Sequence, residues 1–239
     1  MVDSWEHSNR NEVIIIIPVY NENEKLKLLL DRFPQQYLPH LLIIDDGSTD
    51  GVCEILRHRK IRFIRHIKRQ GVGRAIKTGL HYAISNNYHI AVIMAGNNKD
   101  DPNQIPLLIK PLIENRVDFV QGSRFLRGGR YEKMPLYRFF ATRLVHPFLF
   151  SLKSGKVKTD TTNGFRAFKL AILSHPVVDF FNIPYPGYEL EIVFYLRVIK
   201  AGFKCVEIPV SKIYPPKKLG ITKIRPFIDW FKMLKPFFI

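Results

Sequence analysis

The sequence has few cysteines and no long hydrophobic run. Only two of its 239 residues are cysteines, Cys53 and Cys205, too few for a disulfide framework or a thiolate metal site. No stretch reaches the roughly 18 consecutive apolar residues that indicate a membrane-spanning helix. The polar segment 1–11 also lacks the apolar core of a secretion signal. These absences favour a protein of a reducing, cytosolic compartment that does not cross a membrane.

Acidic residues are scarce in the second half of the chain. Residues 1–120 contain 16 Lys and Arg against 14 Asp and Glu, whereas residues 121–239 contain 21 against 7. Most of the formal net charge of +16 therefore lies after residue 120. Such an excess predicts an anionic partner: a nucleic acid, a phosphate-bearing substrate or an anionic membrane. The hydrophobic content of 46% excludes a wholly disordered basic chain.

The first half alternates between two hydrophobic patterns. Apolar runs predict strands at 13–17, 40–44, 61–66, 90–95 and from 118, and helical periodicity predicts helices at 22–33, 50–59, 71–86 and 106–114. This alternation predicts an α/β fold with a mostly parallel sheet and helices on both faces. In such sheets, ligands bind beyond the carboxyl ends of the strands.

The second half contains two amphipathic segments. Pro135–Leu152 mixes aromatic and aliphatic residues with arginines, and Pro226–Ile239 is a short apolar tail with two lysines. Both suit the interface of a bilayer, and packing against the core is the alternative. No internal repeat or low-complexity linker divides the chain. We expect one domain over residues 1–225 and an amphipathic, membrane-proximal tail over residues 226–239.

Three strand ends in the first half carry residues suited to a ligand. The carboxylates of Asp45–Asp50 suit a nucleobase, a ribose or a divalent cation, and the same residues also form a capped turn. Gly71–Ala75 opens a helix, which favours an anion, although such glycines often only form a turn. Asn97, Asp100 and Asp101 follow the fourth strand and offer oxygen ligands to a hard cation, or cap the next helix.

Two loops of the second half also suit an anion. Ser123, Arg124 and Arg130 belong to a glycine- and arginine-rich loop, and Arg166 ends the polar segment 160–166. Guanidinium groups match phosphate oxygens in a bidentate way. A solvated basic loop remains the alternative for each.

Taken in order, these pieces resemble glycosyltransferase family 2, which has the GT-A fold. Within it they are most similar to the dolichol- or polyprenol-phosphate mannosyltransferases. The resemblance covers residues 12–225 and rests on Pro18–Glu22, Asp45–Asp50, Gly71–Ala75 with Gly79, Gly122–Arg124 with Gly128 and Gly129, Asp160–Arg166, and Gly220–Lys223.

The resemblance implies a role for each group of residues. Residues 1–120 would hold the nucleotide sugar and residues 121–225 the acceptor. Asp101 and Arg124 would be catalytic, and Mg²⁺ or Mn²⁺ would be bound by Asn97, Asp100 and Asp101. The remaining implied residues are Pro18, Tyr20, Glu22, Asp46, Ser48, Gly73, Arg74, Gly96 and Asn97 for the nucleotide sugar, and Ser123, Arg124, Arg130 and Arg166 for an acceptor phosphate.

One piece departs from the family pattern. Ala95, Gly96 and Asn97 stand where the family usually has Asp-Ala-Asp, its metal motif. Three interpretations stay open. Asn97 and a downstream aspartate still hold the metal, or Lys99 supplies a fixed charge beside the diphosphate, or the chain has lost transferase activity.

The function that the resemblance implies is transfer of a hexose from a nucleotide sugar to a polyprenyl phosphate at the cytoplasmic face of a membrane. A phosphate acceptor is already nucleophilic, so the reaction needs positioning and charge neutralisation more than a base. A sugar-hydroxyl acceptor would instead require a base, for which Glu189 and Glu191 are candidates. The expected partners are a nucleotide-sugar donor, a lipid phosphate and an anionic membrane surface, on which the protein would lie peripherally.

Two further alternatives are a catalytically silent binding protein and a nucleic-acid-binding module. The nearly neutral first half argues against nucleic acid, because carboxylates at its strand ends would repel a phosphate backbone.

Overall fold

A seven-stranded sheet forms the centre of the protein in a computed structural model, which describes residues 12–215 and 228–238. Its strands are β1 (Val13–Val19), β2 (Leu41–Asp45), β3 (Phe63–Arg65), β4 (Ile90–Ile93), β5 (Phe119–Ser123), β7 (Arg166–Lys169) and β8 (Cys205–Pro209). The order across the sheet is β3-β2-β1-β4-β7-β5-β8. Two short strands, β6 (Arg130–Glu132) and β9 (Ser211–Ile213), pair in parallel beside it.

Helices cover both faces of this sheet. They are α1 (Asn23–Asp31), α2 (Val52–His58), α3 (Val72–Ser85), α4 (Ile105–Ile113), α5 (Leu136–Phe140), α6 (His146–Ser154), α7 (Glu189–Lys200) and α8 (Ile228–Leu234). Strand β1 shows why two cores form, because successive side chains of a strand point to opposite faces. Ile14 and Ile16 pack with α3 and α7, whereas Ile15 and Ile17 pack with α1, α2 and α4.

The predicted order of strands and helices in the first half is confirmed, with shifts of one to a few residues at the ends. Strand β7 is the main difference, since residues 160–166 were expected only as a loop returning to the core. β7 runs antiparallel between β4 and β5. It has four residues, too few for a recognisable pattern. Three of them, Arg166, Ala167 and Phe168, are buried, and Ala167 and Phe168 belong to the two cores.

The sheet order creates a crevice between β1 and β4. From β1 the chain adds β2 and β3 on one side and then returns to place β4 on the other side of β1. Such a reversal separates the loops that follow two adjacent parallel strands, and ligands bind at this switch point. Here the two loops begin at Tyr20 and Met94.

A continuous helical rod follows β6. It consists of α5, a π-helical turn (Ala141–Val145) and α6. We refer to residues 136–154 as the helical rod. Its buried side chains include Thr142, His146 and Phe150.

The described part of the predicted tail packs against the domain. Met233 and Phe237 are buried in the core that contains α7, whereas Phe231 and Phe238 are exposed. Gly220–Lys223 and residues 226, 227 and 239 lie outside the described residues. No helix within the described ranges is long and apolar enough to cross a membrane.

Candidate active site

A cleft of about 560 Å³ opens at the carboxyl ends of β1 and β4. Residues from both halves of the chain line it. The polar residues of this lining include Tyr20, Glu22, Asp46, Arg69, Asn97, Lys99, Arg124, Arg138, His146, Arg166, Glu189, Glu191 and Lys212.

Tyr20 and Asp46 lie at the β1–β2 end of the cleft. The Arg69 guanidinium lies 4.5 Å from the centre of the Tyr20 ring, and such a flat pair suits stacking with a nucleobase. Asp46 is 3% exposed. Its carboxylate accepts hydrogen bonds of 2.8 Å from the backbone N–H groups of Gln70 and Gly71, and lies 2.8 Å from His66 Nδ1. Asp46 therefore fixes the loop that closes this end.

Two glycines are required by this geometry. Gly71 has φ +102°, and a Cβ there would lie 2.4 Å from the Pro186 carbonyl oxygen. A Cβ on Gly96 would lie 2.3 Å from Val19 Cγ1. The loops after β1 and β4 approach each other this closely because Gly96 has no side chain.

Arg124 is buried in an ion pair with Asp160. Arg124 Nε lies 2.6 Å from Asp160 Oδ2 and Nη2 lies 2.7 Å from Oδ1, while Nη2 also donates to Thr162 Oγ1 at 2.8 Å. Burial alone would lower the pKa of Arg124, but the charge and hydrogen bonds of Asp160 outweigh it and raise the pKa above its ordinary value. The pair ties the loop after β5 to the segment before β7.

Lys99 lies in a contrasting environment. Lys99 is 4% exposed, and its Nζ lies 4.6 Å from the centre of the Tyr214 ring. Burial, followed by the nearby charges of Arg138 and Lys212, lowers the pKa of Lys99 to about 7, although Asp100 opposes the shift. An anion bound beside Lys99 would favour its charged form.

Asp100 and Asp101 are engaged away from the cleft. Asp100 Oδ1 lies 2.5 Å from Lys212 Nζ. Asp101 accepts a hydrogen bond from Asn103 N at 3.1 Å, so that it caps a 3₁₀ turn, and it faces Arg32 at 3.6 Å. Asp101, which the sequence predicts as a catalytic residue, therefore lies outside the cleft with its carboxylate in this turn, and its catalytic role stays a prediction.

The residues after β4 do not fit a divalent cation. Mg²⁺ and Mn²⁺ prefer carboxylate oxygens, but Asp100 is paired with a lysine, and Asn97 offers only an amide oxygen. Within the described residues, no three His, Cys, Asp or Glu side chains come together to hold a metal. The predicted set of Asn97, Asp100 and Asp101 is not assembled.

Several buried polar atoms of the cleft have no hydrogen-bond partner among the described residues. They are Asn97 Oδ1, Arg138 Nε, His146 Nδ1, Thr161 Oγ1 and Arg166 Nε. Buried polar atoms are nearly always paired in folded proteins, so a group of such atoms in one cleft indicates a bound polar ligand.

His146 and the two glutamates complete the cleft wall. Burial lowers the pKa of His146 to about 4, against a smaller opposing effect of Asp160, so this imidazole is neutral at pH 7. Glu191 Oε1 lies 3.4 Å from Arg166 Nη2, in a partly buried ion pair. Glu189 is 9% exposed at the start of α7. Both glutamates line the cleft.

The structure brings some of the predicted residues together and leaves others outside. The predicted residues that line the cleft are Pro18, Tyr20, Glu22, Asp46, Gly96, Asn97, Arg124 and Arg166. Those that do not are Ser48, Gly73, Arg74, Asp100, Asp101, Ser123 and Arg130.

The reasons differ among the residues outside the cleft. Ser48 accepts a hydrogen bond from Asn21 N at 2.9 Å, and Gly73 N donates to the Pro186 carbonyl at 2.8 Å. Ser123 Oγ lies 2.6 Å from Thr159 Oγ1. Arg74 and Arg130 are exposed, and Arg130 pairs with Glu132. These contacts support the shape of the site without facing a ligand in it.

Sequence reasoning missed Arg69, Arg138, His146 and Lys212. Arg69 precedes the predicted Gly71–Ala75 segment directly, so its place could have been inferred. Arg138 and His146 are polar residues within an otherwise apolar helical pattern, a weaker signal. Lys212 lies in a basic loop with no distinguishing pattern, and the pairing of β9 with β6 and a backbone bridge to Asp100 bring it to the cleft.

The family model of "Glycosyl transferase family 2" matches residues 14–179. The chain belongs to glycosyl transferase family 2. It is a nucleotide-sugar-dependent glycosyltransferase, and its sheet has the GT-A arrangement.

Named relatives and a solved structure agree with this assignment. The chain is 28% identical to the undecaprenyl-phosphate mannosyltransferase of Micrococcus luteus, over 89% of this chain and 87% of that protein. It is 26% identical to the polyprenol monophosphomannose synthase of Mycolicibacterium smegmatis, over 88% and 80%. The glucosyl-3-phosphoglycerate synthase of Mycobacterium tuberculosis, in complex with Mn²⁺ and UDP-glucose, shares the fold with a TM-score of 0.67 at 17% identity, over 94% of this chain and 75% of that chain.

Proposed function

We propose that this glycosyltransferase moves a hexose from a nucleotide sugar to a polyprenyl phosphate at a membrane surface. The observation that carries the proposal is the helical rod, residues 136–154. One of its faces lines the cleft, and the other presents an exposed apolar stripe.

The apolar stripe repeats at every fourth residue of the helical rod. Its members are Leu136 (76% exposed), Phe140 (54%), Leu144 (55%), Phe148 (68%) and Leu152 (74%). In a regular α-helix a spacing of four advances by about 40° per step. The wider π-helical turn at Ala141–Val145 reduces this drift, so the stripe stays on one side of the rod.

The other face of the rod belongs to the cleft. Arg138, Ala141, Thr142 and His146 line it. A lipid phosphate could therefore place its phosphate in the cleft while its isoprenoid chain lies along the stripe or in the adjoining bilayer. A water-soluble acceptor gives no reason for the exposed stripe, which is unusual on a monomer surface.

Basic and apolar residues around the stripe suit a membrane surface. Phe231 and Phe238 of the tail are 71% and 74% exposed, and Lys232 lines the cleft. Arg143 and Lys153 belong to the same rod. In a peripheral membrane protein, apolar residues enter the membrane interface while cations lie near the headgroups. The names of the two relatives from Micrococcus luteus and Mycolicibacterium smegmatis also indicate polyprenyl-phosphate chemistry.

The chemistry at the cleft follows from the acceptor. An anionic phosphate oxygen attacks the anomeric carbon while the bond from that carbon to the donor diphosphate breaks, and the electron pair leaves with the nucleoside diphosphate. No base is needed, because the attacking oxygen carries no proton. The protein has to position two anionic groups and reduce their repulsion, and the cleft supplies Lys99, Arg138, Arg166 and Lys212 for this purpose.

Radiolabelled transfer tests this function directly. Purified protein in vesicles would be given labelled GDP-mannose, UDP-glucose or UDP-N-acetylglucosamine together with undecaprenyl phosphate, unphosphorylated undecaprenol or a free sugar. We expect label in lipid only with the phosphorylated acceptor. Label in a free sugar would assign a hydroxyl acceptor, and measurable donor binding without any transfer would assign a silent binding protein. Either result would overturn the proposal.

A further inference from the structure

Three cations from distant parts of the chain meet at the carboxyl end of β4. Lys99 follows β4, Arg138 lies in α5 and Lys212 in β9, and all three line the cleft. We call them the cation cluster. Tyr214 lies between two of them, with Lys99 Nζ 4.6 Å and Arg138 Cζ 5.5 Å from the centre of its ring.

Backbone contacts hold Lys99 and Lys212 side by side. The backbone N–H of Ile213 donates to the Lys99 carbonyl at 2.9 Å, and Asp100 and Lys212 form an antiparallel bridge. The backbones of these two lysines are therefore held next to each other by the fold.

The cation cluster brings three positive charges close together in the wall of the cleft. Asp100 pairs with Lys212 at 2.5 Å, and the second polar partner of Lys212, Asn163 Oδ1 at 2.9 Å, is uncharged. Arg138 Nε has no hydrogen-bond partner among the described residues. Like charges that are held close together repel one another. An anion bound between them would relieve this repulsion and give Arg138 Nε a hydrogen-bond acceptor.

The position of the cation cluster in the sheet indicates which anion would bind there. β4 lies next to β1 in the sheet, and Tyr20, with Arg69 over its ring, stands at the end of β1. A nucleoside at that end would place its phosphates toward the neighbouring end of β4. At that point the chain has Gly96 and Asn97, followed by Lys99, and no carboxylate that faces the cleft.

We propose that Lys99, Arg138 and Lys212 bind the diphosphate of the donor directly and provide the positive charge that a divalent cation provides in metal-dependent transferases. This inference rests on the nucleotide-sugar donor and is independent of the lipid acceptor. In the transfer step the ammonium and guanidinium groups donate hydrogen bonds to the departing diphosphate, which leaves as an anion, so no proton has to be transferred.

Equilibrium binding without metal tests the proposal. Calorimetry would measure the binding of GDP, UDP, the matching nucleosides and inorganic diphosphate to the full chain, in EDTA and in Mg²⁺. We expect the diphosphates to bind in EDTA. Lys99→Met should weaken nucleoside diphosphate binding about 10- to 100-fold, the effect of losing one hydrogen bond between charged groups. The affinity for the nucleoside should stay unchanged.

Further variants separate charge from structure. Lys99→Arg keeps the charge and should retain most of the affinity, and Arg138→Gln should weaken diphosphate binding without altering the buried ion pair of Lys212. Lys110→Met removes an exposed lysine on α4 and should change nothing. Thermal unfolding would verify that each variant is folded.

Three outcomes would overturn the proposal. Diphosphate binding could require Mg²⁺ or Mn²⁺, or Lys99→Met could weaken nucleoside and diphosphate binding equally. Farnesyl phosphate, used as a short lipid phosphate, would reveal the third: if Lys99→Met affects only this ligand, the cation cluster serves the acceptor. Any of these results would leave the transferase function itself intact, whereas failure of transfer with intact diphosphate binding would contradict only the proposed function.

Discussion

Two buried cations of the same cleft, Arg124 and Lys99, lie in opposite environments. The Arg124 guanidinium donates from Nε and Nη2 to the carboxylate of Asp160, and the pKa of Arg124 is raised. Lys99 has cations beside it, and burial together with those cations lowers its pKa to about 7. The fold supplies the counter-charge of Arg124 from Asp160. Around Lys99 the fold instead places two further cations, Arg138 and Lys212, and a bound anion would offset their repulsion.

The surroundings of these two cations distinguish a structural role from a ligand-binding role better than the residue type does. By type, an arginine in a glycine-rich loop is the more convincing phosphate ligand. Its guanidinium, however, is already occupied by Asp160 and Thr162. We therefore interpret Arg124 as the residue that positions the two loops, and Lys99 as the residue that contacts the substrate.

The largest expected effect comes from breaking the Arg124 pair. Asp160→Asn leaves the buried guanidinium without its counter-charge and should lower the free energy of unfolding by about 3–5 kcal/mol. Urea denaturation measures this. Asp31→Asn is the matched control, because the Asp31–Arg59 pair is exposed and should contribute less than about 1 kcal/mol. If both variants lowered the free energy of unfolding equally, the buried Arg124–Asp160 pair would contribute no more to stability than an exposed pair.

A second test uses His146, a buried group that is neutral instead of charged. Its folded pKa of about 4 lies below the ordinary value of 6.5, so the unfolded chain takes up the proton first as the pH falls. The contribution to stability is full above pH 6.5 and is lost progressively between about pH 6.5 and pH 4. Its maximum is about 3 kcal/mol.

His146→Gln should remove this part of the pH dependence. Denaturation curves of the two proteins at pH 7.5 and pH 4.5 would measure it. If the wild type and the variant lost stability in parallel, the imidazole would not be the buried neutral group described here.

Lys99→Met should change the free energy of unfolding in the opposite direction to Asp160→Asn. Removing a buried charge that lies beside two other cations should raise the free energy of unfolding, by about 1–4 kcal/mol. Inorganic diphosphate should then stabilise the wild type in thermal unfolding more than it stabilises the variant. A variant that is less stable than the wild type would show that Lys99 contributes to the fold as Arg124 does.

The smallest expected effect concerns the apolar stripe. Phe148→Ala should lower the affinity for anionic vesicles about tenfold, corresponding to 1–2 kcal/mol of lost apolar burial, and should leave nucleoside diphosphate binding intact. Val177→Ala, at an exposed apolar residue outside the rod (49% exposed), is the control in vesicle sedimentation. Equal vesicle binding by both variants would argue that the stripe does not contact the membrane.

The sequence allowed much of the first half of the fold to be predicted, for a physical reason. Continuous β-branched runs such as Val13–Ile17 and helices of regular periodicity carry local signals, and handedness rules then fix how they assemble. Strand β7 was not predicted, because its place depends on β4 and β5, which lie far from it in the chain.

The candidate site was predicted less completely than the fold. Residues that directly follow strands, such as Tyr20 and Asn97, were placed at the cleft because the strand ends place them there. Asp101 was assigned on its residue type, and its contacts with Arg32 and Asn103 could not be read from the pattern. Arg138 and Lys212 reach Lys99 only through tertiary structure.

Transfer in a chelator tests most directly whether the cation cluster replaces a metal. Labelled nucleotide sugar and undecaprenyl phosphate would be incubated with the wild type in EDTA and in Mg²⁺, with Lys99→Met and Lys110→Met in parallel. We expect transfer by the wild type and by Lys110→Met to continue in EDTA, and Lys99→Met to lose transfer under both conditions. Wild-type transfer that stops in EDTA and returns with Mg²⁺ or Mn²⁺ would contradict the replacement of the metal by these cations.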